Sequence, residues 1–287
     1  MIRRKLRELK PIFFGKRRYQ PFWERLHSWS LEGMNIGRWD GPLDSGELWV
    51  LGYASKCIHD RSHQSRNTGN ADRPVIFDVG ANIGLYSLEV MRSFGDSTRL
   101  YSFEPSHSTY QLLKETLATF NNVECINAGL SDREQAGTLF SVAEDAGLSS
   151  VYNRFRFDNG KNREMEGRRT EAIRLTTVDS FCKERSIEKI DLLKVDVEGH
   201  ELEVLLGART LIQNGAIDFI QFEFGGTDID AKTFLHDFVD LLHTNFALFR
   251  IVRDGVVSVE PYHEKREIFL YSNYLAVSRE LEMPWSS

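Results

Sequence analysis

The stretch VIFDVGANIGLYSLEVMRSFG, residues 75–95, decides how this chain folds. Its first five residues are apolar except for one acid, which predicts a short buried strand. The residues that follow Gly84 repeat apolar side chains at helical spacing, which predicts an amphipathic helix. A turn with glycines at 80 and 84 joins the two. This order indicates either a nucleotide-binding turn or a tight turn in an α/β core.

The alternation of strand and helix continues downstream. Helices are predicted for residues 106–120, 175–185, 200–213 and 231–245, with Ser106 as an N-cap. Strands are predicted for residues 99–105, 123–130, 190–197, 217–224, 247–260 and 267–279, with a hairpin around Asp254 and Gly255. Such alternation predicts a parallel sheet with helices on both faces, whose ligands bind beyond the carboxyl ends of the strands.

Residues 1–73 are predicted to be an N-terminal extension, and residues 74–280 the main domain. Within the extension a helix is expected from Ser45 onward, followed by a surface loop over the polar residues 59–73. The Arg-rich stretch 141–172 has little periodicity. It is expected either to form part of an acceptor site or to be a plain surface insertion.

Composition narrows the class of protein. The chain has 287 residues, is 41% hydrophobic and carries a net charge of −6, which argues against a general nucleic-acid binder. Its three cysteines have no metal-ligand spacing and are expected to be free thiols. No window is long and apolar enough for a membrane span, and no signal-peptide pattern is seen, so a cytoplasmic location is expected.

The basic and aromatic residues at the start of the chain are an exception to its acidic balance. Residues 1–26 contain nine Lys or Arg and two acids, interleaved with aromatic side chains. This mixture suits peripheral contact with an anionic membrane, here the inner membrane face. The alternative is a solvated tail or a segment that packs on the body of the protein.

The turn at residues 78–84 differs from a dinucleotide-binding turn. It reads G-x-x-x-G, so the middle glycine that lets backbone approach a pyrophosphate is missing. Asp78 ends the first strand and would repel a diphosphate, and Glu104 ends the second strand, where a carboxylate can hold both hydroxyls of a ribose. One ribose and one cationic centre describe S-adenosylmethionine. The alternative is that the two glycines serve only the packing of the turn and no ligand binds there.

The motifs FDVGANIGLYSL, SFEP, NAGLSD, the LSS of residues 148–150 and TTVDSF…IDLLKVDVEGHELEVLLGA together resemble the FkbM family of S-adenosylmethionine-dependent methyltransferases. The resemblance implies a class I methyltransferase fold, a Rossmann-like, seven-stranded, mostly parallel sheet with helices on both faces and the last strand antiparallel. It also implies O-methylation of a hydroxyl, most often of a sugar in a glycan, polysaccharide or glycolipid. The alternative acceptor is a small secondary metabolite such as a polyketide.

The resemblance also assigns residues to the cofactor. The methionine and ribose end is expected to be lined by Asp78, Gly80, Ala81, Asn82 and Gly84. Glu104 is expected to hold the ribose hydroxyls, and Ser131 and Asp132 to lie near the adenine. Asp196 follows the fourth strand, where the methionine and the acceptor would meet.

Methyl transfer to an alcohol is helped by a base that takes the hydroxyl proton. His200, four residues after Asp196, is one candidate, because an imidazole titrates near neutral pH. Glu198 could orient the imidazole or serve as the base itself, and His200 could instead only pack at the start of its helix.

On the acceptor side, Glu223, Ser149 and Ser150 are expected to bind hydroxyls. A divalent metal held by Asp196 and Glu223 is a competing mechanism. It is not favoured, because no third ligand is evident.

Overall fold

The computed structural model describes residues 13–37, 45–66, 73–142, 145–151, 157–158, 161–162 and 168–281. The helices longer than four residues in these ranges are α1 (Gln20–Gly33), α2 (Glu47–Arg66), α3 (Leu85–Phe94), α4 (His107–Leu117), α5 (Val178–Arg185), α6 (Glu201–Leu206), α7 (Arg209–Gln213), α8 (Thr227–Ala231) and α9 (Leu235–Leu242). Short 3₁₀ turns cover Arg17–Tyr19 and Glu264–Arg266.

The strands make one large sheet and two smaller ones. Those of the large sheet are β1 (Val75–Val79), β2 (Arg99–Phe103), β3 (Val123–Ile126), β10 (Ile190–Val195), β11 (Ile217–Phe224), β12 (Phe246–Val252), β13 (Gly255–Ser258) and β14 (Ser272–Ser278). The others are β4 (Gly129–Leu130), β5 (Gln135–Val142), β6 (Asp145–Ser150), β7 (Phe157–Asp158), β8 (Lys161–Asn162) and β9 (Arg168–Thr176).

The order of the large sheet is β13-β12-β14-β11-β10-β1-β2-β3. Strands β3, β2, β1, β10 and β11 are parallel, and β14 lies antiparallel between β11 and β12. This topology confirms the predicted class I methyltransferase fold. The predicted count of seven strands is too low by one, because the hairpin partner β13 pairs with β12 and adds an edge strand.

The strand order reverses between β1 and β10. From β1 the chain proceeds outward through β2 and β3, and it then returns to the other side of β1 at β10. Crossovers leave in opposite directions at this point, so the carboxyl ends of the two strands open into a crevice. The register places Asp78 beside Lys194 of β10 and beside Ser102 of β2.

Successive side chains of β1 enter two cores. Phe77 packs on one face of the sheet with Leu193 and Phe222, whereas Ile76 packs on the other with Leu192. Helix α2 covers the second face through buried apolar side chains, which are Val50, Leu51, Ala54 and Ile58. The division of the chain at residues 73 and 74 stays a prediction.

Helix α2 extends further than the sequence indicates. It continues to Arg66, although a surface loop was predicted from residue 59. The reason is tertiary: Arg61 forms ion pairs with Asp218 and, at 3.5 Å, with Asp191, the second residues of β11 and β10. Contacts of this kind override the weak helical preference of a polar segment.

The stretch after β3 contains a second sheet of order β4-β9-β5-β6. β5 and β9 pair antiparallel from Gln135 and Leu175 to Val142 and Arg168. Leu139, Ile173 and Leu175 form a small core of their own on this sheet. Much of residues 141–172 thus belongs to strands, which the aperiodic composition did not predict.

Helix α1 is mostly exposed. Phe22, Leu26 and Trp29 lie three or four residues apart and are 58%, 39% and 73% exposed. Residues 1–12 of the predicted membrane-contacting segment fall outside the described part of the chain. In the described ranges, no helix combines the length and the apolar character that a membrane span requires.

Candidate active site

A cavity lies at the carboxyl edge of the sheet, at the reversal between β1 and β10. The tips of β1, β2 and β10 form its floor, and the second sheet forms a side wall. The lining residues are Val79, Gly80, Asn82, Phe103, Glu104, Pro105, Gly129, Leu130, Leu139, Val151, Ile173, Leu175, Asp196, Val197, Glu198 and His200.

The turn after β1 requires glycine at residue 80. Gly80 has φ +82°, and a Cβ there would lie 1.8 Å from the carbonyl oxygen of Asp196. The amides of Gly80 and Ala81 both donate to the carbonyl of Phe103, at 3.1 and 2.9 Å. Gly84, at φ +91°, lets helix α3 start close to Leu113. The turn thereby draws the tips of three strands together around the cavity.

Glu104 lies in the floor of the cavity. Its carboxylate accepts hydrogen bonds from the amides of Asn82, at 3.1 Å, and Ser106, at 2.8 Å. Burial raises the pKa of Glu104 to about 7, against the lowering effect of these two hydrogen bonds. Each carboxylate oxygen keeps a further lone pair. The group is fixed in place and can accept the two hydroxyls of a ribose.

Asp78 lies beneath the cavity and does not line it. It is fully buried, and its Oδ2 accepts a hydrogen bond from Ser87 Oγ at 2.6 Å. Its Oδ1 lies 4.0 Å from Lys194 Nζ. Burial raises the pKa of Asp78, and the ammonium of Lys194 opposes this shift. The structure therefore places Asp78 as a support under the turn.

Part of the cavity is an apolar slot. It is lined by Leu139, Ile173 and Leu175, with Val151 packed against them and Leu130 nearby in the lining. Flat aromatic ligands are held well between apolar side chains of this kind. This slot can hold the adenine of a nucleoside, and Glu104 lines the same cavity.

Ser131 and His200 meet beside this slot. Ser131 Oγ lies 3.0 Å from His200 Nε2 and donates to Asp132 Oδ1 at 3.1 Å. His200 Nδ1 lies 3.7 Å from Glu203 Oε2. Burial lowers the pKa of His200, whereas Glu203 and Asp132 act to raise it. Both ring nitrogens thus have protein neighbours.

The loop after β10 is held by a buried carboxylate. Glu201, 1% exposed, accepts from the amides of Val197 and Gly199 at 2.9 and 2.8 Å. Glu198 has φ +61°, and its carbonyl accepts from Ser150 Oγ at 2.8 Å. Ser150 therefore contacts the loop, while the side chain of Ser149 is outside the described residues.

Asp196 is at the open end of the cavity. Its side chain is 37% exposed, and its Oδ2 accepts from Lys194 Nζ at 3.0 Å. Glu223 is the second-last residue of the neighbouring strand β11, and burial, followed by the charge of Asp196, raises its pKa well above the usual range. Asn273 of β14 is opposite Glu223 in register and donates to Tyr271 Oη at 3.0 Å.

Four residues near Asp196 were missed from the sequence: Glu47, Tyr86, Lys194 and Gln221. One signal was available, because Lys194 interrupts the apolar run of a strand predicted to be buried. In the described ranges, no group of three or more His, Cys, Asp or Glu side chains is arranged to hold a metal ion.

The chain is similar to several known proteins over about half its length. It is 32% identical to the AMB antimetabolite synthetase AmbE of Pseudomonas aeruginosa over 46% of this chain and 8% of that protein. It is 32% identical to methyltransferase sdnD of Sordaria araneosa, covering 47% of this chain and 60% of the relative. It is 28% identical to the hexuronic acid methyltransferase AglP of Haloferax volcanii, covering 57% and 62%. The match thus spans less than two thirds of each of these relatives.

A family model described as the methyltransferase FkbM domain matches residues 78–251. The matched range contains the glycine turn, Glu104 and the loop after β10, which are the parts that build the cavity. The match confirms the predicted family, and with it S-adenosylmethionine as the cofactor. The chain belongs to the FkbM family of S-adenosylmethionine-dependent methyltransferases.

Proposed function

We propose that this methyltransferase methylates a hydroxyl of a sugar in a glycan, polysaccharide or glycolipid. The observation that carries the proposal is a set of polar groups at the carboxyl edge of the sheet. Asp196 follows β10, whose Val195 pairs with Phe222, next to Glu223, and Asn273 is opposite Glu223 and donates to Tyr271 Oη. Carboxylates, amides and phenols hydrogen-bond pairs of hydroxyls. The similarity to AglP, a hexuronic acid methyltransferase, supports a sugar acceptor.

S-adenosylmethionine supplies a methyl group already activated by its sulfonium. In our proposal Glu104 binds the ribose hydroxyls, and the apolar wall of the second sheet covers the adenine. Asp196 binds the acceptor hydroxyl and takes its proton on Oδ1, because Oδ2 is held by Lys194. Alignment of the hydroxyl oxygen with the methyl group contributes several kcal/mol, and proton removal contributes about 10²–10⁴-fold.

His200 and Glu198 were the other candidates for the base. The Nε2 of His200 lies against Ser131, so we infer that His200 orients the loop between the adenine slot and Asp196. Glu198 lines the cavity and follows Asp196 by two residues. It is the second carboxylate within this loop that can take the proton.

Two assays test the proposal. Calorimetric titration with S-adenosylhomocysteine, beside NAD⁺ as a control, should show micromolar binding of the first alone. Labelled S-adenosylmethionine is then incubated with a neutral hexoside, a hexuronic acid and the matching non-sugar alcohol. Label transfer to a sugar supports the proposal. Binding without transfer to any sugar, but with transfer to the plain alcohol, would overturn it.

A small secondary metabolite is the second candidate acceptor. It is favoured by the similarity to AmbE, which is named as an antimetabolite synthetase. A hydroxylated polyketide added to the same label-transfer assay separates the two candidates. Transfer to the polyketide at a higher kcat/KM than to every sugar would favour this second function.

We also propose that residues 1–26 contact an anionic membrane surface. The described part of this segment includes the exposed residues Phe13 and Phe14, followed by Arg17 and Arg18. Apolar side chains beside cations suit the boundary between headgroups and acyl chains. Co-sedimentation with phosphatidylglycerol vesicles, and not with phosphatidylcholine vesicles, is expected. Equal sedimentation in the two, or none, would contradict the proposal.

A further inference from the structure

Helix α1 has an apolar face that is exposed. Phe22, Leu26 and Trp29 (the apolar stripe) lie on it, at spacings of four and three residues. Leu31 comes two positions after Trp29, which places it on the opposite face of the helix, and it is 5% exposed. The helix therefore packs on the protein through the face of Leu31. A stripe of three large apolar side chains on the other face is typical of an interaction surface.

Hydrogen bonds fix the carboxyl end of α1 to the large sheet. Asn35 follows the helix with φ +60°, and its Nδ2 donates to the carbonyl of Ile251 at 3.5 Å. The guanidinium of Arg250 donates to the carbonyl of Met34. Ile36, the next residue, is 5% exposed. These contacts join the end of the helix to strand β12.

The chain after α1 then reaches the polar groups proposed to bind the acceptor. The amide of Gly37 donates to the carbonyl of Tyr271 at 2.8 Å. Tyr271 Oη accepts from Asn273 at 3.0 Å, and Asn273 is opposite Glu223 in register. The apolar stripe is therefore carried by a helix that ends four residues before a direct contact with the proposed acceptor site.

Exposed apolar side chains also flank Tyr271. Leu270 precedes it and is 43% exposed, and a Cβ on Gly37 would lie 3.4 Å from Leu270 Cδ1. Phe234 is 51% exposed, and its ring centre lies 5.9 Å from that of Phe269. Apolar surface thus occurs both on α1 and beside the proposed acceptor site, and Gly37 connects the two.

Cations accompany the apolar stripe. Residues 13–37 contain four exposed cations and two acids, although the whole chain has a net charge of −6. The cations are Lys16, Arg17, Arg18 and Arg25. Large apolar side chains enter the acyl boundary of a bilayer, and cations beside them attract anionic headgroups. This combination of charge and apolar surface favours an anionic membrane as the occupant of the stripe.

We propose that helix α1 lies on an anionic membrane through the apolar stripe, and that the acceptor sugar is attached to a lipid of that membrane. The inference rests on the proposed function, in which a sugar hydroxyl is methylated, and it selects the lipid-linked class among the proposed acceptors. The lipid chain stays in the bilayer, while the sugar enters the site beside Tyr271. The contact extends past residue 26 to Trp29.

Attachment to the membrane has a kinetic consequence. When the enzyme and the sugar are both held at one surface, their encounter resembles an intramolecular step with a raised effective concentration. A sugar on a lipid should therefore be methylated faster than the same sugar free in solution. The advantage should depend on the apolar stripe and on the anionic lipid together.

The experiment uses the full chain and three variants. The apolar variant combines Phe22→Gln, Leu26→Gln and Trp29→Gln. The charge variant combines Arg17→Gln, Arg18→Gln and Arg25→Gln. The matched control is Leu112→Gln, because Leu112 is 50% exposed on helix α4, away from the stripe. Urea unfolding and calorimetry with S-adenosylhomocysteine show whether each variant is folded.

Labelled S-adenosylmethionine is supplied with a hexosyl and a hexuronosyl diacylglycerol in vesicles of phosphatidylglycerol and phosphatidylcholine. The matching methyl glycosides are supplied in solution at the same concentration. We expect transfer to a vesicle-borne sugar to be at least about tenfold faster than to its methyl glycoside. The apolar variant should lose this advantage, and Leu112→Gln should keep it. The charge variant should lose about fivefold in vesicle affinity for each cation removed.

Equal transfer to the two forms of the sugar, or an advantage that the apolar variant keeps, would overturn the inference and leave the proposed function standing. If the apolar variant does not fold, the charge variant and vesicles of phosphatidylcholine alone decide, because an advantage that neither reduces would also overturn it. A dimer in sedimentation equilibrium that the apolar variant dissociates would assign the stripe to a second copy of the chain, against the inference. No label on any sugar in either form would remove the proposed function and this inference with it.

Discussion

The two halves of the carboxyl edge are built by different means. Around β1 and β2 the backbone shapes the site: Gly80 lies close to the carbonyl of Asp196, and the amides of Asn82 and Ser106 hold Glu104. Around β10, β11 and β14 charged side chains are placed against one another, with Lys194 among carboxylates. In our proposal the first half, the cofactor half, binds S-adenosylmethionine. The second, the acceptor half, binds the acceptor.

The comparison also predicts different consequences for substitutions in the two halves. Backbone geometry is lost by adding a single atom, whereas a charge arrangement is changed by substitutions that keep the shape. We therefore expect variants of the cofactor half to lose cofactor binding, and variants of the acceptor half to lose turnover with binding intact.

Gly80→Ala should have the largest effect. The added Cβ would lie 1.8 Å from the Asp196 carbonyl, at a φ of +82°. We expect no measurable binding of S-adenosylhomocysteine by calorimetry and a loss of more than about 2 kcal/mol in the free energy of unfolding by urea titration. Gly95→Ala is the matched control, because Gly95 has φ +70° and open space around its Cβ position. Normal cofactor binding by Gly80→Ala would contradict the requirement for glycine at residue 80.

Asp196→Asn should lower kcat by about 10²–10⁴-fold, because the amide cannot take the acceptor proton. Binding of S-adenosylhomocysteine should remain close to wild type, since the close contact with Gly80 uses the backbone carbonyl of Asp196. Single-turnover label transfer and calorimetry measure the two effects. Loss of binding together with turnover would mean that the two halves are not separable as described.

Glu104→Gln should weaken binding of S-adenosylhomocysteine by about 10–100-fold, the cost of losing a charged acceptor of hydrogen bonds. The substitution preserves shape, so the unfolding midpoint should remain within a few degrees of wild type. Glu115→Gln, exposed on α4, serves as the control. An unchanged dissociation constant would remove Glu104 from the ribose site.

The smallest expected effect is on the pH dependence of binding. Burial raises the pKa of Glu104 to about 7, so the empty site is about half protonated at neutral pH. Only the ionised form accepts two hydroxyls, and affinity should therefore fall as pH decreases through 7. From pH 8 to pH 6 we expect about a tenfold loss, absent in Glu104→Gln. Equal pH dependence in both proteins would assign the titration to another group.

The cofactor half was largely predictable from the sequence, because it comes from short contiguous motifs. The strand with Asp78, the glycine turn and Glu104 are where the pattern of residues 75–105 placed them. Gly80 could be recognised as special because few other residues adopt its backbone conformation. What the pattern did not show is that Asp78 points beneath the cavity.

The acceptor half was less predictable, because it combines residues far apart in the chain. Glu47, Lys194 and Tyr271 have no shared motif, and only the strand order brings them together. A helix was predicted from Ser45, but its periodicity does not say which acid faces the sheet edge. The paired strands β5 and β9 were missed, because β9 is polar and Arg-rich and its alternation is hard to recognise.

The position of β14 has a consequence for the order in which the protein is assembled. β14 lies between β11 and β12, although it follows both in the chain. During synthesis β12 and β13 can form their hairpin, but no strand joins them to the sheet until residues 272–278 have left the ribosome. Late, long-range pairing of this kind is slow and leaves strand edges open to aggregation. Emergence of residues 272–278, more than the earlier folding steps, should therefore control the yield of native protein.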